Sequence, residues 1–287
     1  MKKRTMHYGN RIGKPTPGSI CCYVLITLWC LFIFAMFAWT IAASLSTTKE
    51  IFNGSLLASG FHWENYVEAA VSNHVLTYFK NSLIYSVISC VLIIVISAPA
   101  AYVLARYEFK GNKFLQIMFT SGMGIPLIMV ILPLFYIASV LQVVGDRWVV
   151  ILLYVGTNIP FTIFYLVSFF QKIPTIFEEA AAIDGCTPIK AFWKIIFPLC
   201  QPGIITVSIF NFIAIWNEYF IGLIFASKTA IRPVAVGLQN MINSMRYSGN
   251  WAGMFAVLVI VFVPSIIFYV ALSEKIIAGA TGGAVKG

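Results

Sequence analysis

Two short polar groups interrupt an otherwise apolar sequence, and any chemistry the chain performs has to start from them. The first is Glu178-Glu179-Ala180-Ala181, with Asp184-Gly185 behind it. Its acids could make a charge contact with another protein, and its glycine could fix the angle of that contact. The second is Trp216-Asn217-Glu218-Tyr219. A carboxylate at the centre of a membrane helix costs about 2.5–3.5 kcal/mol on insertion scales, and such acids usually face a cavity or a partner. Glu218 therefore reads in two ways. It lines a path suited to a ligand with many hydroxyls and CH faces, or it makes a structural hydrogen bond to a neighbouring helix or subunit. The sequence has no GxxxxGK[ST] phosphate loop, so ATP hydrolysis of the P-loop kind is not expected of this chain. Cys21, Cys22, Cys30, Cys90, Cys186 and Cys200 form no CxxC pair, and His7, His62 and His74 stand at no ligand spacing. No disulfide, metal site or bound cofactor is expected.

Both groups must be positioned by membrane helices. The chain is 60% hydrophobic and 10% charged, where an ordinary soluble domain is about a quarter charged. The expected fold is all-α, a polytopic membrane protein with six transmembrane helices at about 20–43, 83–105, 114–141, 148–170, 203–225 and 254–272. A basic head precedes the first run, as in a signal peptide, but the run exceeds a signal's apolar stretch of about 7–15 residues. Pro99, Pro126, Pro133, Pro160 and Pro264 fall within the spans, as kinks tolerated by packing or as hinges. Residues 1–19 read as a basic tail, 20–278 as one helical domain, and 279–287 as a Gly-rich tail.

The stretch 173–202 stands apart. Thr175 precedes Glu178 by three residues, the spacing of a capping box in which the two side chains satisfy each other's orphan backbone donors. Residues 178–182 should be helical, with acids at the positive end of the helix dipole. Asp184 and Gly185 should stop that helix. Thr187 and Pro188 should start a second as N-cap and N1, running through Phe192, Trp193 and Ile196 to Pro198. The result is a helix–turn–helix elbow outside the bilayer.

This elbow resembles the EAA loop of the membrane subunits of binding-protein-dependent ABC importers. The pattern of that loop is Glu-Ala-Ala, three residues, Gly, nine residues, Ile-x-Leu-Pro. It is met by Glu179, Ala180, Ala181, Gly185, Ile195 and Pro198, with Phe197 in place of Leu. The resemblance implies a type I ABC importer permease fold in which the cytoplasmic elbow docks into a cleft of a separate ATPase. It assigns that contact to Glu178, Glu179, Ala180, Ala181, Asp184 and Gly185. The likeness narrows at Trp216-Asn217-Glu218, at the Ala101–Gly111 stretch, at Ile131-Leu132-Pro133-Leu134 and at the tail from Gly282 to Gly287. These are similar to the carbohydrate-uptake branch, the maltose-type (MalG-like) permease subunits. Implied partners are a second, MalF-like permease subunit, two ATPase subunits that bind ATP and Mg, an extracellular sugar-binding protein, a sugar substrate and membrane lipid. The outer loops around Trp63 and Arg246 would contact the binding protein, and the C-terminal tail would lie near the ATPases.

Charge fixes the expected orientation. Thirteen of the nineteen Lys and Arg residues fall in the N-terminal tail, the loop holding Arg106, Lys110 and Lys113, the elbow and the C-terminus; Lys49, Lys80, Arg147, Lys228, Arg232 and Arg246 fall on the other side. By the positive-inside rule both termini and the elbow are cytoplasmic in a bacterial plasma membrane. This one-sided clustering also accounts for the net charge of +9 without nucleic acid as a partner. Two readings compete. An ion-coupled secondary transporter would use Glu218 as its cation or proton site but gives the elbow no purpose. An intramembrane enzyme would need a second catalytic group beside Glu218.

Overall fold

A computed structural model describes residues 17–72 and 74–282. Most of the expected N-terminal tail and the last five residues lie outside the described residues, and 279–282 close the final helix. Apolar runs in lipid must satisfy their own backbone N–H and C=O groups, which leaves helices as the solution for this composition. Among the described residues the order is α1 (Pro17–Ser44), α2 (Thr48–Asn53), α3 (Glu64–Ser72), α4 (Val75–Arg106), α5 (Asn112–Gly122), α6 (Leu127–Val140) and α7 (Arg147–Phe170). The elbow follows as α8 (Ile176–Ile183) and α9 (Pro188–Leu199). The chain closes with α10 (Gln201–Trp216), α11 (Phe220–Phe225), α12 (Val234–Ser248) and α13 (Trp251–Gly282).

Among the described residues three helices, α1, α4 and α7, are long and apolar enough to cross a membrane unaided. The count reaches five if each bent pair is one span. The expected third span is such a pair: α5 and α6 meet at 97°. Pro126 sits at the N-cap of α6 with extended backbone, and its missing N–H cannot continue the α5 ladder. Pro99, Pro133, Pro160 and Pro264 lie inside helices instead.

The expected fifth span, 203–225, is also corrected. Its α10 starts close to the expected boundary, after a 74° bend from α9, but stops at Trp216, and α11 begins only at Phe220. Asn217 and Glu218 are two polar residues in a long apolar run, so the average over a span stays high and the sequence reads as one helix. The stretch 228–251, read as an outer loop, contains the 15-residue helix α12, closed by Gly249 at φ +71°.

The core sits along α4 and α7, which form the most extensive helix pair, with α10 laid across both. Toward the elbow it is built from Tyr102, Leu166, Phe170, Phe192 and Ile196. Toward the far end it contains Tyr85, Ile93, Tyr154, Ile215 and Phe225. A third cluster joins α3, α10, α12 and α13 through Trp216, Met241 and Met254. By contrast α1 exposes apolar side chains all round and touches the bundle mainly through α13.

Candidate functional site

The elbow forms where its punctuation demands. Gly185 has φ +75°, a left-handed conformation that costs any Cβ-bearing residue. There the Cys186 N–H bonds the Ala181 carbonyl at 2.9 Å and the Gly185 N–H bonds Ala182 at 3.0 Å, closing α8. Thr187 then takes extended backbone and its hydroxyl accepts the Lys190 N–H at 3.4 Å, with Pro188 opening α9. Within α9 the segment Phe192–Ile196 is π-helical. Phe192 and Ile196 turn into the core while Trp193 is exposed.

The expected capping box at Thr175 does not form. Thr175 is helical and makes no side-chain cap. The reason is a distant competitor: Arg106, the last residue of α4, donates from Nε to Glu178 Oε1 at 2.9 Å and from Nη2 to the Ile173 carbonyl. One guanidinium thus holds both the entry to the elbow and its first helix. A charge-assisted fork of this kind is stronger than a neutral cap. Its side chain is 9% exposed and that of Glu178 is 21% exposed. One turn earlier on α4, Tyr102 packs its ring on Phe170 at 5.7 Å and on Phe192 at 4.9 Å.

Of the other elbow residues named from sequence, Glu179, Ala180, Asp184 and Gly185 are exposed, and Ala181 is buried against the hairpin. Beside them lie Ile176, Ile183 and Ile189, at 64%, 87% and 75% exposure. Three large aliphatic side chains thus stand exposed on the hairpin next to its acids.

The second group is divided by the break between α10 and α11. Trp216 is core: it packs on Phe79 and Phe212 and its Nε1 donates to Ser265 Oγ at 3.2 Å. Asn217 is exposed and its amide returns to the Ile213 carbonyl at 2.8 Å. Tyr219 is half-buried against Phe220. Glu218 does not interrupt a helix, as read from sequence, but starts one. Its carboxylate accepts the Ile221 N–H at 3.0 Å and the Gly222 N–H at 3.2 Å. A carboxylate on the free N–H groups of a helix start is satisfied by them and by the dipole.

Sequence reading missed the polar knot at the other end of α4. Asn81 donates to the carbonyls of Ala230 and Arg232 at 2.9 and 3.0 Å and accepts from Arg147 Nη2 at 2.9 Å. Tyr85 donates to Ile231 O at 2.7 Å, and Ser82 Oγ accepts the Val234 N–H at 2.8 Å. An amide and a serine ahead of an apolar run were the available signal, but their partners are 66 to 152 residues away.

Residues 93–276 match the family described as "Binding-protein-dependent transport system inner membrane component". The chain is 30% identical to the diacetylchitobiose uptake system permease protein NgcG of Streptomyces coelicolor, over 92% of this chain and 88% of that one. It is 32% identical to the trehalose transport system permease protein SugB of Mycobacterium tuberculosis, over 87% and 91% respectively. Its fold is similar to a chain of a bacterial ABC transporter involved in import of the acidic polysaccharide alginate. That match has a TM-score of 0.79 at 22% identity, covering 89% of this chain and 95% of that one.

Proposed function

The chain belongs to the binding-protein-dependent transport system inner membrane components, and on that premise we propose that it forms, with a second related permease, the path by which a sugar crosses the membrane. As a permease component of an ABC transporter it is an inner-membrane, multi-pass protein and is not itself an ATPase. The relatives named for diacetylchitobiose and trehalose support a saccharide as substrate. In this reading two ATPase subunits bind ATP and Mg, and an extracellular binding protein delivers the sugar. Residues 20–278 act as one permease domain of six spans, each bent pair counting as one and α13 as the last. Both termini and the elbow are cytoplasmic, as the clustering of Lys and Arg supports.

The observation that carries the mechanism is the exposed ridge Ile176, Ile183 and Ile189 with Glu179 beside it, on a hairpin fixed by Gly185, Thr187 and Arg106. The ridge and Glu179 seat in the ATPase cleft, so closure of the ATPase dimer on ATP displaces the elbow and tilts the helices behind it. Asn217 and Tyr219 sit at the break between α10 and α11, where they can meet the sugar. Glu218 shapes that break as the cap of α11. The ion-coupled alternative loses support here, because the Glu218 carboxylate is already engaged by two N–H groups.

Capture of the tagged chain from solubilised native membrane tests the assignment, with wild type beside Ile183→Arg and Gly185→Trp. Wild type is expected to retain a second permease and ATP-hydrolysing activity. Both variants are expected to keep the permease and lose the ATPase. Wild type captured without either partner would overturn the proposal.

A further inference from the structure

Among the described residues the elbow is held to the bundle by polar contacts from α4 as well as by the chain itself. Arg106 at one end of α4 holds Glu178 and the Ile173 carbonyl. Asn81, Ser82 and Tyr85 at its other end hold the segment 230–234, which joins α11 to α12. The two ends are 25 residues apart in one unbroken helix, or about 38 Å at 1.5 Å per residue. The covalent route from elbow to the same segment is worse. It passes the 74° bend between α9 and α10 and then the break at 217–219. A displacement entering that route can be absorbed by rotation at either break. Within α4 Pro99 does not break the helix, and α7 supports it along its length.

We propose that Arg106 is a positioning residue that fastens the elbow to α4, so that α4 carries the elbow's displacement across the membrane to the segment 230–234. The claim rests on the reading of the elbow as the ATPase dock. It adds a specific load path: α4 moves with α8, and the far-side segment moves because Asn81, Ser82 and Tyr85 hold it. Tyr102 keeps α9 in the same movement through its contact with Phe192. Arginine suits the role because its planar fork engages a carboxylate and a carbonyl together, which a lysine point charge does not reproduce.

The test uses the complete transporter in lipid, with a spin label at T229C, an exposed site beside the held segment. The label's ATP-dependent change is compared in wild type, R106Q, R106K and the exchange R106E/E178R. Each variant is compared at the ATPase occupancy measured in the same sample, so that a loss of docking and a loss of coupling are read apart; R106Q is the variant that removes the fork. Its far-side label change and its binding-protein-stimulated turnover should fall about tenfold, the scale on which single positions alter coupling between sites. R106K should be intermediate, and the exchange should recover much of the loss. A far-side change retained in R106Q would overturn the inference while leaving the docking assignment intact. Loss of the ATPase from wild type would instead overturn the docking assignment. Should R106Q fail to assemble, the exchange decides. Recovery of assembly together with the label change supports the inference, and absence of either overturns it.

Discussion

Two segments of this protein begin with the same spelling and fold differently. Thr47-x-x-Glu50 opens α2, and Thr175-x-x-Glu178 opens α8. Each ends in a left-handed glycine, Gly54 at φ +70° and Gly185 at φ +75°. At Thr47 the capping box forms in full: the Glu50 backbone N–H reaches Thr47 Oγ1 at 3.3 Å, and the Thr47 N–H reaches Glu50 Oε2 at 2.7 Å. The Glu50 carboxylate also takes the hydroxyl and the N–H of Ser59, which closes a local loop. At Thr175 the box is absent because Arg106 takes the carboxylate. One glutamate finishes its own turn. The other is spent on a tertiary contact to a helix 72 residues earlier. A local signal therefore states what a segment can do alone, and a cation within reach decides whether it does so.

The largest expected effect tests that competition directly. Glu178→Ala leaves the Arg106 guanidinium, 9% exposed, without its carboxylate. The cost should be about 2 kcal/mol, below the roughly 3–5 of a fully buried pair because Glu178 keeps some solvent. Thermal unfolding in detergent reads it, and an unchanged midpoint would mean that the fork is ornamental. Next come the glycines. A Cβ at Gly54 or Gly185 meets nothing within 4 Å, so Gly→Ala measures backbone strain alone, about 1–2 kcal/mol at each. Similar losses at both would show that the two segments share their stop signal and differ only at the start. The threonines should then diverge. Thr47→Ala loses a working N-cap, about 1 kcal/mol, while Thr175→Ala should stay within about 0.5 kcal/mol. Equal losses at the two threonines would erase the distinction.

Much of this was legible beforehand. The apolar runs of α1, α4 and α7 sit where length and composition put them, and Gly185, Thr187 and Pro188 punctuate the elbow as their backbone preferences require. The breaks at 123–126 and 217–219 were not legible. Hydropathy averaged over a span measures partition into lipid and stays high across Met123 and across the two polar residues Asn217 and Glu218, whereas the turn at 217–219 is held by Glu218 accepting the N–H groups ahead of it. The sequence of α12 reads as loop because its polar side chains mask its period. Arg106 looked like one of three loop cations. It falls within the Ala101–Gly111 stretch that carries the resemblance, but nothing there points to its partners, which lie in the elbow. Distance along the chain, rather than weakness of the interaction, kept this charge-assisted contact out of sight.

The smallest effect separates the two carboxylates by acid. The Thr47 N–H, then the Ser59 hydroxyl and N–H, hold the Glu50 carboxyl down to about 2, against about 4.3 for a free glutamate. A group whose folded value is depressed contributes stability that is complete above its unfolded value. That contribution declines as pH falls through the interval and is gone below the folded value. The window here is about pH 4.3 to 2. Amide exchange at Ser55 and Ser59, measured as the ratio of E50Q to wild type, reports the contribution without interference from the intrinsic pH dependence of exchange. The ratio should be above one and flat from neutral pH to about 5, then narrow toward one near pH 2. A ratio that shows no change between about pH 5 and pH 2 would mean that the carboxylate titrates as a free group. The Thr47 box would then be a geometric coincidence, no more binding on its segment than the unmade box at Thr175.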